Sequence, residues 1–361
     1  MAKSASRWMF AVGSALALSA ASMGAYAAPS SGLALDRFEP TPAGDPFFGV
    51  ASANVHGRLQ TNGVLIFDYA HAPLVLRYRE TNNGAEVGKI VSHQLYLHLA
   101  ASLALFRRVL LSIDAPIALL NEGGSPHTPS GTALTSPTDA TSGDLRLGAR
   151  ARVYGEEGAP FQLAVGASLF APTGNRDGYT GDGRARFSPA AIASGRVGSL
   201  LWSATLGAMF RQGSHVLDNA VTNELLFGAA AGFLASKDRV LIGPEIYGST
   251  ELGEGASAFG KHSTNAELLV DVKYRPDPIV IGVAAGPGLT TGVGTPDWRL
   301  VFVVGYAPWR EPAREPSLSP KASSRERGGV LEASGAGVAR DSGGDSSGDS
   351  SGDSTWQGGK P

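Results

Sequence analysis

Asp144-Leu145-Arg146-Leu147-Gly148-Ala149-Arg150-Ala151-Arg152-Val153-Tyr154 is the stretch on which the reading of this chain turns. Leu145, Leu147, Ala149, Ala151 and Val153 alternate with Asp144, Arg146, Gly148, Arg150 and Arg152. A period of two places successive side chains on opposite faces of a strand. One face is therefore apolar and the other carries three guanidinium groups. In a soluble sheet the arginines would face water and the apolar set a core. In a membrane barrel the apolar set would face lipid and the arginines the lumen.

Moving outward, the same alternation recurs. Val109, Leu111 and Ile113 share a face, and so do Phe161, Leu163, Val165, Ala167 and Leu169. Near the end, Leu268, Val270, Val272 and Tyr274 alternate with Glu267, Leu269, Asp271 and Lys273. Helical spacing is nowhere sustained. Strand segments are expected at 57–69, 89–102, 108–119, 143–154, 161–172, 184–197, 200–211, 221–234, 240–251, 265–275, 278–290 and 297–307. Their lengths match the ~9–11 residues of a tilted membrane strand and exceed the ~5–6 of an average soluble one.

The connections alternate between tight and long. Phe106-Arg107, Gly155 to Gly158, Gly198-Ser199, Ser236 to Arg239 and Pro276-Asp277 are compact turns. Thr81 to Gly84, Asn121 to Ser142, Thr173 to Gly183, Gly213 to Ala220, Gly253 to Thr264 and Gly292 to Pro296 are the loops between. A soluble sandwich has no reason to sort loop length by rim, whereas bacterial outer-membrane barrels keep short turns on the periplasmic rim and long loops outside. The expected fold is all-β, an antiparallel up-and-down transmembrane β-barrel of about twelve strands over 47–308. An even strand number leaves both termini periplasmic.

The ends agree with export. Lys3 and Arg7 precede an apolar run from Trp8 to Ala20, and Ala25-Tyr26-Ala27 supplies a small-x-small site, so 1–27 reads as a signal peptide. Residues 28–46 read as a loose, Pro-rich lead-in. The stretch 309–361 is rich in Gly, Ser, Asp and Pro, too poor in apolar residues to offset its ordering entropy, and is expected to be a disordered tail.

Composition narrows the functional classes. Charged residues are 17% of the chain, against ~25% in ordinary soluble domains, with 48 glycines in 361 residues and a net charge of −2. No basic cluster marks a nucleic-acid partner. With no cysteine, thiolate metal sites, disulfides and a cysteine nucleophile are excluded. No cofactor is implied.

If the apolar face meets lipid, Arg146, Arg150 and Arg152 line the lumen and need partners there. Glu224, Glu245, Glu267 and Asp271 are the candidate partners, each on the lumen face of another strand, with Lys273 beside them. Two readings stand: a network of interior ion pairs, or a cationic wall favouring anionic solutes. The loop Thr173 to Gly183 has the Asp/Asn/Gly density of a calcium loop without its acid spacing, so it reads as a surface loop. No Gly-x-Ser-x-Gly or His-Glu-x-x-His is present, and enzymatic activity is not expected. Ser214-His215 and His262-Ser263, in long loops, are the remaining hydrolase candidates.

Ala72 to Leu76, Gly143 to Arg150, Ala171-Pro172-Thr173-Gly174 with Thr180 to Gly183, and Gly286 to Arg299 together resemble the N-terminal barrel region of OmpA-family outer-membrane proteins of the myxobacterial type. The Gly-Asp-Leu-Arg and Pro-Thr-Gly pair is also similar to the outer-membrane barrels grouped with the phenol-degradation MetA pathway. The resemblance covers about residues 45–308 and implies an outer-membrane barrel, often followed by a peptidoglycan-binding domain. The low-complexity tail departs from that pattern, and cell-wall attachment is not expected. The expected partners are outer-membrane lipid, the barrel-assembly machinery and small solutes. A porin-like channel, a structural or adhesive barrel, and an outer-membrane hydrolase are the competing functions, and the sequence favours the first two without separating them.

Overall fold

The structure, a computed structural model, describes residues 33–78, 85–127, 135–137, 139–216, 219–253 and 257–308. The signal peptide and the tail lie outside the described residues. Twelve long strands, numbered here in chain order, are β1 (Leu59–Arg77), β2 (Glu86–Leu105), β3 (Val109–Glu122), β4 (Leu145–Tyr154), β5 (Gln162–Ala171), β6 (Arg186–Val197), β7 (Leu200–Met209), β8 (Glu224–Ala235), β9 (Val240–Glu251), β10 (Thr264–Tyr274), β11 (Ile279–Pro287) and β12 (Trp298–Tyr306). Each pairs antiparallel with its sequence neighbours, and β12 returns to β1 in the register Gly63↔Tyr306 to His71↔Trp298. The sheet is a closed up-and-down barrel with no free edge.

Alternation sorts the side chains as the sequence requires. Along β4, Leu147, Ala149 and Val153 are exposed while Arg150 and Arg152 are buried. Along β10, Val270, Val272 and Tyr274 are exposed while Asp271 and Lys273 are buried. The barrel is thus apolar outside and polar inside, the reverse of a soluble sandwich. Two aromatic groups flank the apolar surface. Tyr69 and His71 pack on Trp298 near the long-loop rim, and Tyr154 and Trp202 flank Phe161 near the short-turn rim.

The expected first strand, 57–69, proves longer: β1 continues to Arg77 through a bulge between His71 and Leu74. Ala72 takes φ 53°, so the ladder steps past Pro73, which has no N–H to donate, and resumes at Leu74. The three-residue β2–β3 connection, Phe106 to Arg108, closes as a turn with Phe106 and Arg107 both at positive φ and Arg108 N donating to Leu105 O at 3.0 Å. That mirror-image turn matches the twist of paired strands.

The largest departure is the lead-in. Residues 28–46 read as loose, yet the described part, from Leu33, is buried and runs through the barrel interior. At the long-loop rim, Ala34 N donates to Asp182 Oδ1 and Leu35 N to Tyr179 O. At the short-turn rim, Phe106 N donates to Arg58 O and Arg107 N to Gly57 O. The chain therefore descends from the long-loop rim to the short-turn rim before β1 begins. The strands place the start of β1 and the end of β12 at the short-turn rim, as an even number demands, but residue 33 sits at the opposite one. This qualifies the expectation of two periplasmic termini, which themselves lie outside the described residues.

Candidate functional site

The segment 33–57 packs an apolar turn on one part of the lumen wall and makes charged contacts with the rest. Three prolines, Pro40, Pro42 and Pro46, keep it out of regular structure. It folds back on itself instead, Thr41 N donating to Phe48 O and Thr41 Oγ1 to Phe47 O. That turn presents Phe47, Phe48 and Val50 to Val64, Ile66, Leu241, Leu269, Val301 and Val303 on the interior of β1, β9, β10 and β12. Burying side chains of this size stabilises by roughly 1.5–3 kcal/mol each.

The eight residues singled out from sequence all lie inside the barrel, but the arginines choose other partners than those expected. Arg150 clamps Asp45 of the segment with two bonds of 2.7 Å and adds a third to Asn54 O at 3.0 Å. Arg146 pairs with Asp114 at 3.3 Å and Glu39 at 3.7 Å. Arg152 donates to Asn54 Oδ1 at 3.0 Å and Arg107 O at 2.5 Å. None of the three meets Glu224, Glu245, Glu267 or Asp271 in an ion pair. Glu39, Asp45 and Asn54 of the segment and Asp114 of β3 take the arginines instead.

The acids have partners of their own. Glu224 accepts from Arg37 at 2.9 Å and lies 3.7 Å from Arg211. Glu245 is fully buried and accepts three backbone N–H groups, from Phe48 at 2.6 Å, Gly49 at 2.9 Å and Val50 at 3.0 Å. Three converging donors make a nest for one carboxylate. Glu267 takes a fork of bonds from Arg299, at 2.7 and 3.1 Å. Lys273 donates to Phe47 O at 2.8 Å with its ammonium 4.1 Å from the Phe48 ring centroid. Asp271 is buried between Leu269 and Lys273 on the same interior face.

Sequence reasoning missed Asp36, Arg37, Asp45, Asp68, Arg186, Arg211 and Arg299. Asp68 and Arg299 carried a legible signal, each a lone charge between outward aromatic or apolar neighbours in Phe67-Asp68-Tyr69 and Trp298-Arg299-Leu300. The residues of the segment carried none.

Between the segment and the wall of β3 to β10 lies a cavity of about 190 Å³. Its wall is built from small side chains, Gly148, Gly166, Ser168, Ser188, Thr205 and Gly207, and its charged lining includes Arg37, Arg146, Arg186 and Arg211 opposite Asp36, Glu39 and Glu224. The small residues set the width, and the charged lining surrounds a space with room for several water molecules. At the long-loop end Asp182 gathers Ala34 N, Arg186 at 3.4 Å and Arg211 at 3.5 Å. Burial works to raise the Asp182 carboxyl, but the two arginines and the Ala34 N–H outweigh it and hold it below its ordinary range.

The loop Thr173 to Gly183 is a docking surface for residue 34, with its Asp182 already engaged by arginines. Of the hydrolase candidates, His262 Nδ1 shares a hydrogen bond with Thr291 Oγ1 at 2.9 Å, and Ser263 Oγ donates to Ser257 O at 2.5 Å. His262 and Ser263 thus turn to different partners. Ser214 and His215 stand in a short hairpin pairing 214–216 with 219–221.

No family model matches the chain, and no curated protein matches it significantly. Among solved structures, it is similar to the COG4313 outer membrane channel from Pseudomonas putida F1, at 15% identity and TM-score 0.48 over 70% of this chain and 97% of that one. It is also similar to the NanC porin, at 8% identity and TM-score 0.43 over 69% and 100% of the two chains. LpxR from Salmonella typhimurium gives 9% identity and TM-score 0.37 over 68% and 99%.

Proposed function

We propose that this chain is an outer-membrane channel for the passive passage of small polar solutes, narrowed by its own N-terminal segment and without enzymatic activity. The observation that carries the reading is the cavity between the segment and a wall of small residues, lined by charges of both signs. An apolar exterior flanked by aromatic groups suits a bilayer with an interface at each rim. The short turns then face the periplasm and the long loops the outside, and folding requires the barrel-assembly machinery. Because most lining arginines are ion-paired, selectivity between anions and cations is weak.

Planar-bilayer recording of the purified barrel tests this. A small, steady conductance is expected, and Ser188→Trp, which places an indole in the cavity, should reduce it several-fold. A folded barrel with no conductance at all overturns the channel.

A second reading, a structural surface barrel, is favoured by one specific observation: the segment is clamped along its whole descent, from Asp182 at one rim to Arg107 at the other. It predicts a silent bilayer and an envelope phenotype. The resemblance to OmpA-family barrel regions fits this reading as far as residue 308.

A further inference from the structure

Inside the barrel, three carboxylates converge on one guanidinium. Arg299 Nη1 contacts Asp36 Oδ1 at 3.0 Å and Asp68 Oδ2, while its Nε meets Glu267 Oε2 at 2.7 Å. All four side chains are nearly or wholly buried. Counted as formal charges, three carboxylates against one guanidinium leave an excess of two, in a place where uncompensated charge is costly.

His98 stands at the edge of this group. Its Nδ1 lies 3.2 Å from both oxygens of Asp114, and Asp114 is in turn balanced by Arg146. Its other nitrogen, Nε2, is buried with no hydrogen-bond partner among the described residues, and so is Asp68 Oδ1. One ligand atom from each of Asp36, Asp68 and His98 falls within 4.8 Å of the others. Donors at ~2.0–2.2 Å around a tetrahedral ion lie about 3.3–3.6 Å apart, so seating an ion draws these ligand atoms together by up to about 1.5 Å.

We infer that Asp36, Asp68 and His98 form a site for a single divalent transition-metal ion, which pins the N-terminal segment to β1 and β2. Three observations meet here. The ion's charge of two cancels the local excess. The donors, one imidazole and two carboxylates, suit zinc or manganese rather than a softer metal. Asp114 orients His98 as an outer carboxylate orients a metal-bound histidine, leaving Nε2 for the metal. Asp36 also lines the cavity, which gives the ion a route in. Because Asp36 belongs to the segment while Asp68 and His98 belong to the wall, occupancy ties the two together. The site stands on its own geometry and does not depend on the channel reading.

The test uses full-length barrel in detergent, stripped with EDTA, loaded with zinc chloride and desalted. One zinc per chain is expected, with an X-ray absorption spectrum showing a single imidazole among oxygen donors. His98→Gln and Asp68→Asn should each weaken zinc binding by at least about a hundredfold, and Asp114→Asn, which touches no metal, by about 10–100-fold. Heat-modifiable migration on a gel checks that each variant is folded. Where one is not, the wild-type spectrum decides alone. His71 and His93, whose rings lie 5.2 Å apart at the rim, are the competing site. Loss of zinc in His93→Ala, a spectrum with two imidazoles, or no retained zinc in the wild type overturns the inference.

Discussion

The Asp45–Arg150 clamp gives the sharpest test of how the segment is held. Both side chains are about 95% buried and joined by two parallel bonds of 2.7 Å. Removing one partner of a buried pair leaves the other charge uncompensated, at a cost of about 3–5 kcal/mol. Asp45→Ala strands the Arg150 guanidinium and also deprives Ser52 N of its acceptor at 3.1 Å. Arg150→Met strands Asp45 and frees Asn54 O. Removing both leaves no orphan charge, so the double variant should cost less than the two singles together, with a coupling of about 2–3 kcal/mol. The chain contains no cysteine, so Ser52→Cys supplies a unique, nearly isosteric reporter on the buried segment. Its labelling by a water-soluble thiol reagent reads the undocked fraction when docking is fast relative to reaction. Each single substitution should raise the rate by roughly two to three and a half orders of magnitude, from ~1.4 kcal/mol per tenfold. Singles that change the rate less than tenfold, or a double that is merely additive, refute the argument that the clamp holds the segment.

Phe47→Ala empties a fully buried site and should destabilise the docked segment by about 3–5 kcal/mol, seen in the same labelling assay. Glu245→Gln puts an amide NH2 against one of three N–H donors and weakens the other two bonds, for a loss of about 3–5 kcal/mol; unchanged labelling contradicts the nest. Asp182 sits at the rim with its carboxyl held below the ordinary value near 3.8. A depressed acid stabilises above its unfolded pKa and loses that contribution as pH falls through the folded one, so docking of residue 34 should be constant from pH 8 to 5 and fail only below about pH 4. Labelling of Ala34→Cys across that range checks it, and a transition near neutrality would refute it.

What was legible in the sequence follows from what is local. Each barrel strand announces itself within about ten residues because lipid and lumen impose opposite demands on alternate positions. Arg150 and Glu245 could be placed inside on that ground alone. Their partners could not, because Asp45 lies 105 residues before Arg150, and the backbone donors to Glu245 lie nearly 200 residues away. The lead-in 28–46, described from residue 33, reads as loose for a related reason. Leu33, Leu35, Phe38, Phe47 and Phe48 follow neither a 2.0 nor a 3.6 period, since an irregular segment takes its order from the walls around it. Pro40, Pro42 and Pro46 mark a linker as readily as a buried turn. The apolar residues among them were the available hint: a linker exposed to water has no use for two adjacent phenylalanines.

The interior of this barrel explains why such a segment exists. Twelve strands enclose more space than wall side chains fill unaided, and on β4 to β7 the inward positions include Gly148, Ser168, Ser188 and Thr205, too small to reach the centre. The same wall carries Arg146, Arg150 and Arg186, which a dry lumen could not tolerate unpaired. A filler from elsewhere in the chain must therefore pack on the apolar side chains of β1, β9, β10 and β12 and bring acids to the arginines of β4. The segment does both, through Phe47 and Phe48 on the one hand and Glu39 and Asp45 on the other. Its fit is uneven, closest at the Phe47–Phe48 turn and open against the small residues of the wall, and the space it leaves is the cavity. Enlarging the wall residues would tighten the fit and close that space, while loosening the acidic contacts would widen it. The width of any pathway through the barrel is thus set by residues that never touch lipid.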